Sequence, residues 1–192
     1  TVSKTTLTIT DLAANLRGLK IVFLTDIHES ARFSQARVDS LVNDINGLSA
    51  DLVLLGGDYA DDGDGALAFF QNLPTIYARL GVYGVLGECD RESPETDLSS
   101  LVKAMTVAGV QPLVNGVAKI KVGQAYVYVA GADDYIAGTP DVGSIAAQVN
   151  EEDFVIFLGH NPDLLTAALK ADGADGNNHW FDLALFGHTH GG

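Results

Sequence analysis

Short apolar runs recur along the chain, and each one ends in polar or glycine residues. Five of them are rich in Val, Ile, Leu and Phe: LKIVFLTD (19–26), DLVLLGGD (51–58), GVYGVLGECD (81–90), DFVIFLGHN (153–161) and LALFGHTH (183–190). Continuous apolar runs of this length are typical of strands that are buried on both faces. We therefore predict five buried strands, each of which leads into a polar loop.

Helical spacing of apolar residues is found between these strands. One predicted stripe consists of Val38, Leu41, Val42, Ile45 and Leu48, and another consists of Leu98, Leu101, Val102 and Met105. The segment NPDLLTAALKADG (161–173) predicts a further helix, with Pro162 near its first turn and Gly173 at its end. The alternation of strands and helices indicates the α/β class.

The middle of the chain departs from this alternation. The segments VQPLV (110–114), VAKIKV (117–122) and AYVYVAG (125–131) follow one another with two residues between each. The intervening pairs, Asn115-Gly116 and Gly123-Gln124, are typical of two-residue hairpin turns. We therefore predict an antiparallel meander of three strands.

Composition and charge fit one domain over residues 1–192 and restrict its partners. The chain has 192 residues, of which 47% are hydrophobic, and this is enough for one core. Its 25 acidic and 11 basic residues give a formal charge of −14, which argues against nonspecific binding to nucleic acid or to an anionic membrane surface. A phosphate-bearing partner would need a local positive centre. The single cysteine excludes an internal disulfide.

Potential metal ligands follow each of the five apolar runs. These residues are Asp26 and His28, then Asp58, then Glu88 with Cys89 and Asp90, then His160, and finally His188 with His190. Each motif alone would fit a capped turn or a hydrogen-bonded loop residue. In open α/β sheets, however, ligands bind beyond the carboxyl ends of the strands, so all these side chains are expected to converge. The i, i+2 pairs Asp26/His28 and His188/His190 would each project to one side of an extended backbone.

The ordered motifs DIH (26–28), GGD (56–58), GECD (87–90), GHNPD (159–163) and GHTHGG (187–192) resemble those of the calcineurin-like metallophosphoesterases. The resemblance covers residues 20–192. The last two motifs are similar to a bacterial branch that hydrolyses phosphodiesters, pyrophosphates of lipid precursors or related phosphoesters. The resemblance implies an α/β sandwich of four layers, in which two mixed β-sheets pack face to face with helices on their outer faces.

By position, the resemblance also implies a centre of two metal ions. Asp26, His28, Asp58 and His190 would hold the first ion, and Asp58, Glu88, His160 and His188 the second, with Asp58 as the bridge. The mixture of His and carboxylate ligands favours Mn, Fe, Zn or Co over Mg or Ca. Two such ions activate a bridging water and stabilise charge during in-line displacement. The implied function is metal-dependent hydrolysis of a phosphoester.

The GECD motif departs from the family pattern, which has Asn and His where this chain has Glu88 and Cys89. Glu88 lowers the positive charge of the implied centre, and Cys89 removes an imidazole that assists catalysis in the family. We therefore expect phosphodiesters to be favoured over monoesters, with Cys89, Asp90 and Asp58 as catalytic residues. Cys89 also fits a small buried packing residue, and Asp90 also fits a structural residue of the turn.

The same departures leave alternative functions open. One alternative is a metal-binding regulatory module with reduced or lost turnover. Another is a structural α/β domain whose histidines do not form a common site. For the enzyme, we expect a small-molecule or lipid-linked phosphoester as substrate. No apolar run approaches the roughly 20 residues of a membrane span. Because the chain starts at Thr1 without Met, we expect it to lack terminal segments, so a bacterial protein of this type would be cytoplasmic or membrane-associated through a missing N-terminal segment.

Several polar residues outside the motifs have weaker signals. His179, beside Trp180, is expected to be a packing or loop residue. Asp133 and Asp134 follow the AYVYVAG segment and are expected in a solvated acidic turn. Arg32 and Arg91 lie shortly after metal motifs, so either could reach a substrate phosphate.

Overall fold

Two four-stranded β-sheets form the centre of a computed structural model that describes residues 2–93 and 97–190. The first sheet is all parallel and contains β1 (Ile21–Leu24), β2 (Leu52–Leu55), β3 (Val82–Gly84) and β4 (Val110–Pro112). The second contains β5 (Gly116–Val122), β6 (Ala125–Gly131), β7 (Phe154–Leu158) and β8 (Leu183–Leu185). In this sheet β5 and β6 are antiparallel, and the other neighbours are parallel. Gly191 and Gly192, which complete the GHTHGG motif, lie outside the described residues.

Six α-helices connect these strands in the described part of the chain. They are α1 (Gln35–Gly47), α2 (Gly63–Asn72), α3 (Glu88–Arg91), α4 (Leu98–Val107), α5 (Val142–Ala146) and α6 (Leu164–Ala168). Both predicted apolar stripes lie on helices, since α1 buries Val38, Val42 and Ile45 and α4 buries Leu101 and Met105. Among the described residues, no helix is long and apolar enough to cross a membrane.

The helix predicted within residues 161–173 is shorter than expected. It covers only Leu164–Ala168, so Pro162 and Gly173 lie outside it. The indole N–H of Trp180 donates to the carbonyl of Ala168 at 2.9 Å, in the last residue of the helix. The carbonyl at the end of the regular helix thus accepts a tertiary hydrogen bond. Local sequence signals did not indicate this end of the helix.

The strands alternate their side chains between two layers. In β2, Leu52 and Leu54 pack in the core between the sheets, whereas Val53 and Leu55 pack with residues of α1, α2 and α4. In β7, Ile156 and Leu158 face the core between the sheets, and Phe157 packs with residues of α5 and α6. This two-residue period produces the order helix, sheet, sheet, helix. The predicted four-layer α/β sandwich is confirmed, although only the second of its sheets is mixed.

The predicted three-stranded meander is wrong at its first strand. Residues 110–112 form β4, which pairs with β3 in the first sheet, and Leu113 N–H donates to the carbonyl of Gly84 at 2.8 Å. The chain then crosses to the second sheet at Asn115, whose side-chain oxygen accepts hydrogen bonds from the backbone of Asp133 and Asp141. Asn115-Gly116 therefore marks a crossing between sheets, and only Gly123-Gln124 turns a hairpin.

The carboxyl ends of strands from both sheets meet at one edge of the sandwich. Within the first sheet, Asp26 N–H, after β1, donates to the carbonyl of Gly57, after β2, at 3.0 Å. Within the second, Gly187 N–H, after β8, donates to the carbonyl of His160, after β7, at 2.8 Å. The ring of His160 then reaches the first sheet, with its Nδ1 2.7 Å from the carbonyl oxygen of Gly56. This edge is where the predicted ligands come together.

Candidate metal centre

The structure brings all the predicted ligand residues together at this edge. Asp26 and His28 follow β1, Asp58 follows β2, Glu88 begins α3 after β3, His160 follows β7, and His188 and His190 follow β8. They form overlapping groups, in each of which the potential ligand atoms lie within 4.8 Å of one another. The prediction that five strand ends contribute to one place is therefore confirmed as geometry, and their roles as ligands stay a prediction.

One group, which we call the exposed cluster, consists of Asp26, His28 and His190. The Nε2 atom of His190 lies 3.6 Å from Oδ1 of Asp26. The rings of His28 and His190 stack with centroids 5.1 Å apart. The side chain of His190 is 61% exposed, so this cluster faces solvent.

A second group, which we call the buried cluster, consists of Glu88, His160 and His188. Oε1 of Glu88 lies 2.7 Å from Nδ1 of His188, and Oε2 of Glu88 lies 3.1 Å from Nε2 of His160. The side chain of His160 is completely buried. Glu88 therefore points at both histidines, as expected if it occupies the ligand position of the family motif.

Asp58 lies between the two clusters. Its Oδ2 atom is 3.7 Å from Nε2 of His28 in the exposed cluster and 3.3 Å from Nε2 of His160 in the buried cluster. Its Oδ1 atom accepts a hydrogen bond of 3.0 Å from the backbone N–H of Cys89. A Cβ atom at Gly87 would overlap Oδ1 of Asp58, so the glycine is required for this close approach. The geometry thus gives Asp58 the central position that the resemblance implies.

The donor atoms fit a bound cation. Glu88 Oε2 and His160 Nε2 are both buried and have no hydrogen-bond partner among the described residues. Buried polar atoms without partners are costly, and here two of them face each other within the reach of one ion. Imidazole and carboxylate groups together are a common donor set for divalent transition metals. The residues present therefore fit a metal site.

The backbone at the ligands is unusual. Five of the predicted ligands, namely Asp26, His28, Asp58, His188 and His190, have φ between 48° and 68°, in the left-handed region. Residues other than glycine rarely adopt this conformation, and such strain is concentrated at functional sites. The expectation that the i, i+2 pairs are extended is therefore wrong. Their side chains reach a common region because both residues of each pair turn into the left-handed conformation.

Close carboxylates change the pKa values at the centre of the site. Burial lowers the pKa of His160, but the charged carboxylate of Asp58, 3.3 Å from Nε2, outweighs this effect, and the pKa rises from 6.5 to about 9. Burial raises the pKa of Asp58, but its contacts with His160 and Cys89 more than compensate and lower it below its usual value. In the protein without metal, a proton on His160 thus takes the place of a cation between carboxylates.

Asp90 connects the loops that carry the ligands. Its carboxylate accepts hydrogen bonds from the backbone N–H groups of Asp58, Tyr59 and Gly87, at 2.8 to 2.9 Å. Burial raises the pKa of Asp90 to about 7, against the effect of these hydrogen bonds. These contacts match the structural role that the sequence left open for Asp90, and its role as a catalytic residue stays a prediction.

Cys89 lies beside the centre rather than in the apolar core. Its Sγ atom groups with ligand atoms of His28 and Asp58 within 4.8 Å. Burial and the charge of Asp58 raise the pKa of the Cys89 thiol to about 12. The thiol therefore stays neutral near pH 7, and it cannot supply the positive charge that an imidazole could carry at this place.

Two partners of the ligands were missed in the sequence. Oδ1 of Asp61 lies 3.3 Å from Nδ1 of His28, and the carbonyl of Gly56 contacts Nδ1 of His160. Such contacts at the second ring nitrogen orient a ligand histidine and leave its Nε2 directed at the metal. The signal for Asp61 was its position three residues after the GGD motif, whereas a backbone carbonyl has no signal in the sequence.

The remaining polar residues lie outside the clusters. His179 is an exposed loop residue, 3.7 Å from a carboxylate oxygen of Glu151, as expected. Asp133 and Asp134 are buried, so the expectation of a solvated acidic turn is wrong. Asp133 is buried because Arg91 and the backbone of Asp134 and Thr139 satisfy its carboxylate.

Comparisons with known proteins agree with this geometry. The model of the calcineurin-like phosphoesterase family matches residues 19–192. An uncharacterized metallophosphoesterase of Campylobacter jejuni is 31% identical over 178 residues, which cover 92% of this chain and 45% of that protein. The uncharacterized metallophosphoesterase YkuE of Bacillus subtilis is 27% identical over 182 residues, which cover 91% of this chain and 59% of that protein. A transmembrane protein with a metallophosphoesterase domain from Danio rerio is 26% identical over 192 residues, with 94% and 42% covered.

The chain spans about half the length of the curated relatives it matches. The family match includes all five strand-end motifs, which lie between residues 26 and 192. The names of the relatives and the family model both point to a hydrolase of phosphoesters, a family that generally binds metal ions. The chain belongs to the calcineurin-like phosphoesterase family.

Proposed function

We propose that this chain hydrolyses phosphoesters with two metal ions and favours diesters over monoesters. The observation that carries the proposal is the position of Asp58, whose carboxylate lies between the exposed cluster and the buried cluster. A carboxylate shared by two ions is a natural bridge for two-metal phosphate chemistry. His28 and His190 leave one side of the centre open to solvent, and a phosphate can approach from that side.

Each proposed ion has four protein ligands. Asp26, His28, Asp58 and His190 would hold one, and Asp58, Glu88, His160 and His188 would hold the other. The donor types favour Mn, Fe, Zn or Co. When bound, such ions lower the pKa of a water and stabilise charge on phosphoryl oxygens. The chain contributes the arrangement, because Asp90 fixes the backbone on either side of the centre and the carbonyl of Gly56 fixes the ring of His160.

The preference for diesters follows from charge. A diester phosphate carries one negative charge, whereas a monoester carries nearly two near neutral pH. Glu88 adds a negative charge to the centre, and the neutral thiol of Cys89 does not compensate for it. The centre should therefore attract a dianion less than a metallophosphoesterase with Asn and His at these positions would. We propose a small-molecule or lipid-linked phosphodiester as the substrate.

The test compares two aryl phosphates with Mn²⁺ or Co²⁺ added. We expect bis(p-nitrophenyl) phosphate to be hydrolysed with a higher kcat/KM than p-nitrophenyl phosphate. A chelator should abolish the hydrolysis, and His188→Ala should lower it strongly. His179→Ala is the matched control, because it removes a histidine that lies outside both clusters. Equal loss in the two variants would contradict the proposed site.

The Cys89→His variant tests the reason for the preference. An imidazole at this position restores a group that can be cationic, so hydrolysis of the monoester should rise more than hydrolysis of the diester. Equal changes for both substrates would contradict the charge argument. Tight metal uptake without turnover of either substrate would instead favour a metal-binding regulatory domain.

A further inference from the structure

Two arginines line an open cavity beside the exposed cluster. The cavity has a volume of about 560 Å³, and Arg32 and Arg37 line it together with Asp26, His28 and His190. Both arginines are exposed. Any phosphoester bound at the exposed cluster therefore lies beside a cavity that two arginines line.

These two arginines differ from others in the chain in their partners. The sequence has only 11 basic residues and a formal charge of −14. Arg79 pairs with Asp51, and Arg91 pairs with Asp133. In the described part of the chain, neither Arg32 nor Arg37 forms an ion pair with a carboxylate of the protein.

The guanidinium group of Arg37 is held in position by its surroundings. Its Nη1 atom donates to the carbonyl of Arg32 at 3.1 Å. Its central carbon lies 4.6 Å from the centroid of the Phe33 ring, in a cation–π arrangement. The hydrogen bond also fixes the backbone at Arg32. The chain thus holds the guanidinium group of Arg37 against the backbone of Arg32, and in the described part of the chain no carboxylate pairs with either arginine.

Two carboxylates line this cavity, and Asp61 is the one that is not a predicted metal ligand. Its Oδ1 atom lies 3.3 Å from Nδ1 of His28, and therefore it is engaged with a predicted ligand rather than with an arginine. Arg91, the other arginine that sequence position suggested, donates to Asp133 and to the carbonyl of Ala137. The structure thus separates Arg32, which faces the cavity, from Arg91, which holds a buried loop.

We propose that Arg32 and Arg37 form a subsite for a second phosphoryl group of the substrate. This inference rests on the proposed function, and it narrows the substrate class to phosphoesters that carry a further anionic phosphorus group near the scissile phosphate. Guanidinium groups bind phosphoryl oxygens with two parallel hydrogen bonds, and they do so best when they are preorganised. The scissile phosphate occupies the metal centre, and the second phosphoryl group contacts the arginines.

The test uses two p-nitrophenyl phosphodiesters that differ at the end of their other ester chain. One carries a propyl chain that ends in a phosphonate, and the other carries a propyl chain that ends in a hydroxyl. For the phosphonate substrate, Arg32→Gln should raise KM about fivefold to tenfold, as expected for the loss of one charge-assisted hydrogen bond near solvent. We expect kcat for this substrate, and KM for the hydroxyl substrate, to change less than about twofold.

Arg79→Gln is the matched control, since it changes the net charge equally at a residue that pairs with Asp51 outside the cavity. It should leave both KM values unchanged. Arg37→Lys keeps the charge but loses the planar group, so it should raise KM for the phosphonate substrate less than Arg37→Gln does. Equal effects of Arg32→Gln on the two substrates, or equal effects of Arg32→Gln and Arg79→Gln, would overturn the subsite while leaving the phosphoesterase function intact.

If neither ester is hydrolysed, that result contradicts the proposed function. Equilibrium binding still tests whether the arginines bind a second phosphoryl group. Methylenediphosphonate, which has two phosphoryl groups, and orthophosphate, which has one, are titrated calorimetrically into the Mn²⁺-loaded 192-residue chain. Arg32→Gln should weaken binding of methylenediphosphonate about fivefold and change binding of orthophosphate less than about twofold. Identical affinities in the wild type and Arg32→Gln for both anions would overturn the subsite.

Discussion

The exposed cluster and the buried cluster contain similar side chains in opposite surroundings. In the exposed cluster the side chains of His28 and His190 are 27% and 61% exposed, and no buried polar atom lacks a partner. In the buried cluster His160 is fully enclosed, while Glu88 and His188 are 17% and 33% exposed, and Glu88 Oε2 and His160 Nε2 have no hydrogen-bond partner in the described chain. Similar ligand side chains are thus most open to solvent at His190 on one side of Asp58 and fully enclosed at His160 on the other.

This difference assigns different tasks to the two clusters. The packing around His160 sets the geometry of the buried cluster before any ligand binds, and burial of this ring strengthens its electrostatic interactions with Asp58 and Glu88. The exposed cluster has weaker electrostatic coupling, but it adjoins the cavity through which a substrate can reach the centre. Substitution of His160 should therefore affect folding as well as activity, and substitution of His190 should affect activity alone.

The largest effect is expected from Asp58→Asn, which removes the carboxylate that the clusters share. Loss of residues that only orient a ligand costs about 10–100-fold in metal affinity or activity, so loss of a shared ligand should cost at least about 100-fold in kcat/KM. Metal content after dialysis should also fall for both sites. The control is Asp153→Asn, a neutralisation at the amino end of β7, away from the ligands. If Asp58→Asn kept both metals and most of its activity, Asp58 would not be the bridge.

The next prediction compares His160→Ala with His190→Ala in chelator-treated protein. His160→Ala leaves a cavity and removes the cation between Asp58 and Glu88, so we expect it to lower the free energy of unfolding by about 2–4 kcal/mol. His190 is largely exposed, and its replacement should change that free energy by less than about 0.5 kcal/mol. Urea denaturation measures both values. Similar losses in the two variants would show that burial does not separate the clusters.

The sequence predicted most of the site because its signals are local and lie at strand ends. A buried parallel strand has a continuous apolar run. The glycine and polar residues that follow the run mark its carboxyl end, as in LLGGD and FLGHN. Packing of two sheets then brings these ends together. Glu88 could be placed beside His160 and His188 in this way, and the structure agrees.

Other features could not be predicted because they depend on distant partners. The pair Asn115-Gly116 has the same local sequence signal in a hairpin turn and in a crossing between sheets. The pairing of β4 with β3 determines that it is a crossing. The left-handed backbone at Asp26 and His28 could not be predicted either, because Asp and His adopt this conformation more often than most residues but only their surroundings hold them in it. Burial of Asp133 likewise depends on Arg91, 42 residues away.

A smaller effect concerns pH and again separates the clusters. The pKa of His160 rises from 6.5 to about 9 in the folded protein without metal, mainly because the favourable contacts with Asp58 outweigh burial. A raised pKa means that the folded state binds the proton more tightly than the unfolded state does. This contribution to stability is complete below pH 6.5 and is lost as pH rises through about 9.

The measurement is the urea midpoint of chelator-treated protein between pH 7 and 9.5. The pKa of Asp90 rises to about 7, so its own contribution, which has the same sign, is lost in the lowest part of this window and is common to all three proteins. We expect the midpoint of the wild type and of His190→Ala to fall as pH rises, and the midpoint of His160→Ala to change less. Equal slopes in all three proteins would contradict the assignment of the proton to His160.

The smallest effect is expected from Glu88→Asn, which restores the neutral residue of the family motif in the buried cluster. The side chain of Glu88 keeps some contact with solvent, being 17% exposed. Removal of its negative charge at about 5 Å from an anion, with screening close to that of water, favours the anion by about 0.8 kcal/mol, or about fourfold in affinity. Inorganic phosphate should therefore bind the metal-loaded variant about fourfold more tightly, and p-nitrophenyl phosphate should gain more than bis(p-nitrophenyl) phosphate. Glu152→Gln is the matched control, since it removes the same charge from an exposed residue outside both clusters. If phosphate affinity and metal content were unchanged in Glu88→Asn, the carboxylate would not reduce the charge of the centre, and the preference for diesters would then depend on Cys89 alone.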